Sequence, residues 1–191
     1  MSSPAEGAVA RVAESADDEA VSKALHDAEF QDFAESTYQT VKGIVSAWCW
    51  DRQMVEDALH EAYLEGRVQW PKIRTYRKPI AWVIKTARFK VRHEYRRLER
   101  QAGTAPQDLP STAQADPADD WEAQQLLWDL LRRIPPRHAE VFVMSQEGFT
   151  NHDIARILGL AEMSVRSYKA AAIKRLKELA GEDEEGDSEA R

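Results

Sequence analysis

Between residues 66 and 100 the chain carries 12 lysines and arginines against 2 acidic side chains, with Trp70, Tyr76, Trp82, Phe89 and Tyr95 set among them. Cations hold phosphates, and aromatic rings outside a core stack on unpaired bases. The chemistry on offer is the binding of a nucleic-acid backbone, with a leaning towards single-stranded or opening DNA. Lys72, Arg74, Arg77, Lys85, Arg88, Arg92 and Arg96 are the candidate cations. Trp70 and Tyr76 lie in the proline-bounded stretch RVQWPKIRTYRKP, which reads as a loop, and are the candidate base contacts. Trp82 falls on the apolar side of its helix and is expected in the core.

A second chemistry is written in FTNHDIARILGLAEMSVRSYKAAAIKRLKEL. Thr150 and Asp153 have the spacing of a capping box that opens a short helix. Ile154, Ala155 and Leu158 face inward, and Gly159 falls where a sharp turn calls for positive φ. Val165 follows six residues later and packs back on the same core. This spacing of Ala, Gly and Val is that of a helix-turn-helix, whose second helix enters the major groove of DNA. Ser164, Arg166, Ser167, Tyr168, Lys169, Lys174 and Arg175 lie on that second helix as candidate DNA contacts. His152 beside Asp153 also resembles the adjacent pair of a metal-dependent phosphohydrolase. The other histidines lack ligand spacing, so Asp153 is expected to act as a helix cap and no metal is expected.

The helix DRQMVEDALHEAYLEG has the opposite sign. Glu56, Asp57, His60 and Glu61 occupy adjoining turns away from its apolar face, as a docking surface for a basic protein would. Acid next to a DNA surface repels DNA, so this face must point elsewhere.

These residues need helices to hold them. Phe30, Phe33, Thr37, Val41, Ile44, Val45 and Trp48 recur at helical spacing. Asp51 caps the next helix, whose apolar face is Val55, Ala58, Leu59, Ala62 and Tyr63, with Gly66 as a stop. A third helix follows Pro79. Leu126, Leu127, Leu130, Leu131 and Ile134 form a later stripe, which Pro135 and Pro136 end. No stretch alternates with period two, so the expected fold is all-α. Residues 1–28 and 182–191 are acidic and read as disordered, and 99–121 has the composition of a flexible linker. Two small helical domains result, at 29–98 and 122–181.

The 191 residues carry a net charge of -7, yet that charge is segregated rather than uniform, so it does not exclude nucleic acid. A mean hydropathy of -0.59 and 43% hydrophobic residues suit a soluble chain with a real core. No apolar run nears the roughly 20 residues of a membrane span. The N-terminus lacks the basic and apolar regions of a secretory signal. The single cysteine, Cys49, fits a reducing cytosol.

With these features in place, the chain resembles the extracytoplasmic-function (ECF) group of bacterial RNA polymerase sigma factors. VEDALHEAY is similar to the family's clamp-binding helix. WVIKTARFKVRHEYRR is similar to its helix that opens with Trp and ends in Arg-Arg. The segment from LLRRIPPRHAE to AAAIKRL is similar to its second domain almost throughout. The sequence departs from the family pattern at His60, Phe89, His93, Tyr168 and Ala171. The resemblance implies a transcription initiation factor with no catalysis or cofactor of its own. Glu56, Asp57, His60 and Glu61 would bind polymerase. The basic segment, with Trp70 and Tyr76, would open the minus-10 promoter element. The helix-turn-helix would read the minus-35 element. Implied partners are core RNA polymerase, promoter DNA and an anti-sigma factor, in the cytoplasm. The alternative is a helix-turn-helix regulator that works without polymerase. A metal-dependent phosphohydrolase would need clustered ligands that the sequence lacks.

Overall fold

The protein is described by a computed structural model covering the backbone of residues 4–102 and 121–189 and the side chains of residues 21–101 and 126–181. Among the described residues every regular element is a helix, as the patterning predicts. The first helix, α1 (Pro4–Ser46), starts far earlier than expected. Residues 1–28 were expected to be disordered, but Ala and Glu, both strong helix formers, recur through them, and Pro4 suits a first helical position. Polarity argued for disorder; backbone propensity opposes it.

Asp51 is extended and accepts a hydrogen bond from the Met54 amide at 2.9 Å, opening α2 (Arg52–Val68) as expected. Gly66 does not stop this helix. It is buried inside it, facing the Phe30 and Trp82 rings. The expected loop is largely helix too: α2 runs to Val68, and α3 (Trp70–Ile73) follows, with Pro71 in its first turn. Only residues 74–78 separate it from α4 (Pro79–Ala102). Val41, Ile44 and Val45 of α1, Val55, Leu59 and Ala62 of α2, and Val83, Ile84, Ala87 and Val91 of α4 close one buried core.

The expected linker is shorter than read, because α4 extends to Ala102 and α5 (Trp121–Arg132) begins at Trp121. Its remainder, 103–120, lies outside the described residues. In α5 the stripe is half as wide as expected: Leu130 and Leu131 are buried, but Leu126 and Leu127 stay exposed. Pro136 starts α6 (Pro136–Gln146), and α7 (Asn151–Leu158) and α8 (Glu162–Glu189) follow. Ala139 and Met144, Ile154 and Leu158, and Val165, Ala172, Leu176 and Leu179 supply the core here. The acidic end, read as disordered, continues α8 to Glu189.

The two helical groups pack on one another. α6 lies against α1, and α7 against α4. Thr40 of α1 donates to the Glu147 carboxylate just beyond α6, at 2.9 Å.

Candidate DNA and protein interfaces

The helix-turn-helix is built as its spacing predicts. The Asp153 amide donates to Thr150 Oγ1 at 3.2 Å, and the Thr150 amide to Asp153 Oδ2 at 3.4 Å, so the capping box is reciprocal. Gly159 adopts φ 69°, ψ 39°, the left-handed geometry that a side chain would strain. Val165 is fully buried. Arg166 and Ser167 are exposed at the start of α8, and Ser164 and Lys169 are half-buried beside them. Tyr168 is turned inward instead. Its ring stacks on His138 of α6, with centroids 5.0 Å apart, which braces α8 against its neighbour. Burial holds the His138 imidazole below its ordinary pKa. Lys174 and Arg175 extend the basic surface, each shared with Glu178. His152 bonds to Glu162 at 2.9 Å rather than joining a cluster of ligands.

The basic segment does not form one surface. Trp70 is only 6% exposed, packed against Phe33 (ring centroids 4.8 Å apart) and edge-on to Phe30 (5.4 Å), so it belongs to the core rather than to a loop. Tyr76, 39% exposed, keeps its ring accessible. Arg74 makes a two-pronged bond to Glu29 of α1, at 2.7 and 2.8 Å, while Lys72 is exposed. Lys85 and Arg96 are exposed on α4, and Arg92 is half-buried.

Arg77, Lys78 and Arg88 are engaged elsewhere. Arg77 and Lys78 both pair with the Asp153 carboxylate, which is thus the cap of α7 and the partner of α4's entry loop at once. Burial disfavours its charge, but hydrogen bonds from Lys78 and Thr150 outweigh that and hold the carboxyl far below the usual range. Arg88, 4% exposed, pairs with Glu140 of α6, 1% exposed. Arg137 reaches the same carboxylate at 3.1 Å. Burial pushes the Glu140 carboxyl up, and the coulombic pull of Arg88, Arg137 and Arg92 opposes it. Arg88 also lies over the Trp48 ring at 5.7 Å, and Arg132 of α5 over Trp50 at 5.3 Å. While α6 is docked, no phosphate reaches Arg88.

The acidic face of α2 was expected to point away from the basic segment, but Asp57 and Glu61 border a groove shared with α4, lined by Ala58, Lys90, His93 and Leu98 among others. Asp57 and His60 are exposed, and Asp57 accepts from Gln53 at 2.9 Å. Glu61 pairs with Lys90 at 3.2 Å, and Glu56 with Arg52 at 3.0 Å and Lys42 at 3.6 Å. The Arg52 bond lowers the Glu56 pKa.

Sequence reasoning missed the contacts between the two helical groups. Glu140 sits between Ala139 and Val141, where nothing local marks its partner. A charge within an apolar stretch was the available signal, because such a charge is seldom buried unless paired.

The family described as Sigma-70, region 4 matches residues 124–176, the segment holding the helix-turn-helix. A curated relative, the RNA polymerase sigma factor CarQ of Myxococcus xanthus, is 25% identical over 158 residues, which cover 80% of this chain and 90% of CarQ. The fold is similar to that of the sigma factor RpoE in its complex with the anti-sigma factor NepR from Bartonella quintana, with TM-score 0.63 and 18% identity over 79% of this chain and 98% of RpoE. It is also similar to CnrH in complex with the cytosolic domain of CnrY, with TM-score 0.54 and 15% identity over 84% of this chain and 96% of CnrH. A region 4 helix-turn-helix, a second helical group ahead of it and a relative matched along both make the chain similar to RNA polymerase sigma factors.

Proposed function

We propose that the two helical groups divide the work of initiation. Residues 29–98 bind core polymerase and open the minus-10 element, and residues 122–181 read the minus-35 element. The observation that carries this reading is the separation of charge within the first group. Acid is gathered on α2 and base on α4, while a helix-turn-helix with exposed cations stands in the second. On this reading Glu56, Asp57, His60 and Glu61 meet the polymerase. Lys72, Tyr76, Lys85, Arg92 and Arg96 meet DNA near minus-10. Trp70, from within the aromatic cluster, supports that surface, and Arg74, Arg77 and Arg88 reach DNA only after exchanging their carboxylate partners. Ser164, Arg166, Ser167, Lys169, Lys174 and Arg175 meet DNA near minus-35, with Tyr168 bracing them. The chain itself carries no catalytic step, and its place of work is the cytoplasm; no described helix is long and apolar enough to cross a membrane. RpoE and CnrH are each held by a partner protein in their structures, which supports an anti-sigma factor as a further partner. Run-off transcription with purified core polymerase and a promoter library tests the reading. Promoter-specific transcripts that require the chain are expected, and specific DNA binding without any dependence on polymerase would favour the plain regulator.

Arg166 and Lys174 should separate in a binding selection. Arg166 lies near the N-terminal end of α8, where side chains reach base edges, whereas Lys174 lies two turns on, where phosphates run. Arg166→Ala should relax preference at one position by about 1–3 kcal/mol. Lys174→Ala should weaken all sequences alike and reduce the salt slope by about one ion. The reverse pattern would overturn both roles.

A further inference from the structure

The second helix of the helix-turn-helix opens on an acid. Glu162 begins α8, and no other carboxylate follows it before Glu178. Arg166 lies one turn on, on the same face, its guanidinium 3.8 Å from one Glu162 oxygen. The other oxygen lies 2.9 Å from Nδ1 of His152, which reaches over from α7 across the Gly159 turn. A carboxylate accepts, so that ring nitrogen donates. His152 and Arg166 are exposed, and Glu162 is half-buried. A carboxylate on a DNA-facing surface repels phosphates, so its presence there needs an offsetting role. An acid anywhere in the first turn would serve the helix dipole, but that role needs neither a donor from α7 nor a cation one turn on.

We propose that Glu162, anchored by His152, is a positioning residue for base readout, holding the Arg166 guanidinium in one orientation towards a guanine of the minus-35 element. The inference deepens the minus-35 reading given above and rests on it. A guanidinium carries five N–H donors in a rigid plane, and a guanine takes two of them, at O6 and N7, which leaves others for the carboxylate. An untethered arginine samples many rotamers and loses that freedom when it docks. Fixing it beforehand lowers that cost and narrows the set of base edges it can meet. In water so exposed a pair contributes little. In the major groove water is excluded and the same pair strengthens, so the effect falls on the DNA-bound state rather than on folding. On DNA that offers Arg166 no guanine, the carboxylate is left to repel phosphates. One side chain thus favours the right sequence and penalises the wrong one.

The test uses holoenzyme assembled from the full chain and core polymerase. Its DNA probes are promoter duplexes randomised across the minus-35 region and one duplex of unrelated sequence. Glu162→Ala should reduce preference at the position that Arg166 reads by about fivefold and leave the other positions unchanged. It should also strengthen binding to the unrelated duplex, by about twofold at low salt. Arg166→Ala should flatten the same position, and the double variant should match Arg166→Ala alone, because nothing is left to position. His152→Asn, which keeps an N–H donor, should retain the preference, whereas His152→Ala should lose part of it. Wild-type preference in Glu162→Ala, or a loss of affinity equal for all sequences, overturns the inference. So does a loss at a different position that adds to that of Arg166→Ala, the pattern of a carboxylate reading a cytosine itself. Unchanged preference in Arg166→Ala overturns instead the minus-35 role of that residue, on which the inference rests.

Discussion

Glu140→Ala is expected to release the second helical group from the first. The substitution leaves Arg88 buried among Trp48, Arg92 and α6 with its carboxylate gone, and Arg92 and Arg137 then add repulsion. Removing one member of a buried pair costs about 3–5 kcal/mol, because the remaining charge has neither partner nor water. Separation restores water to Arg88, so the strain is relieved by undocking rather than by unfolding either group. The measurement is energy transfer between one label on α2 and one on α7, read beside thermal unfolding. A longer mean distance is expected, with the helical content preserved. The double variant Arg88→Met with Glu140→Leu supplies the counter-test. Apolar side chains of similar volume need no solvation, and such replacements are neutral or stabilising by about 1–4 kcal/mol, so this variant should stay docked. An unchanged distance in Glu140→Ala would show that the pair does not hold the groups together.

The local features of the fold were legible because each is encoded within a few residues. The Asp51 cap, the Thr150–Asp153 box and the left-handed Gly159 all satisfy backbone demands that their own neighbours create. What the sequence hid was set by distant chain. Gly66 reads as a helix stop by type, but it lies within α2, packed beside Phe30 and Trp82 of two other helices. Trp70 reads as a loop aromatic, since prolines flank its segment, yet Phe30 and Phe33 of α1 cover it. The same α1 supplies Asp27 to Arg67 and Glu29 to Arg74, which turns Arg74, read as a DNA contact, into a fastening of its own domain. Asp153 was legible as a cap but not as the partner of Lys78, because the capping box is a local pattern and the ion pair joins residues 75 apart. Charge and aromaticity thus located the interface segments, while which members face outward depended on packing partners that no spacing rule names.

The largest effect on assembly is expected from reversing charge on α2. Asp57 is exposed, and Glu61 stands at the rim of the α2–α4 groove beside Lys90. Neither supports the core, which on α2 is Val55, Ala58, Leu59 and Ala62. Asp57→Lys with Glu61→Lys should therefore leave helical content intact while opposing a basic surface on polymerase. Breaking a charge pair that is desolvated in an interface costs about 2–5 kcal/mol, so the double variant should lose thirtyfold or more in affinity for core polymerase. Glu61→Lys also places a second cation against Lys90, so a local disturbance must be told apart from a lost interface. Asp57→Asn with Glu61→Gln does this by removing charge without adding repulsion. If the acidic face docks polymerase, the neutral pair should weaken binding by an intermediate amount, and rising salt should narrow the gap between wild type and both variants. If only the repulsion added against Lys90 matters, the neutral variant should bind as wild type does, and Lys90→Gln should restore the reversed one. Core-polymerase binding by the reversed variant that equals wild type would remove α2 from the docking surface.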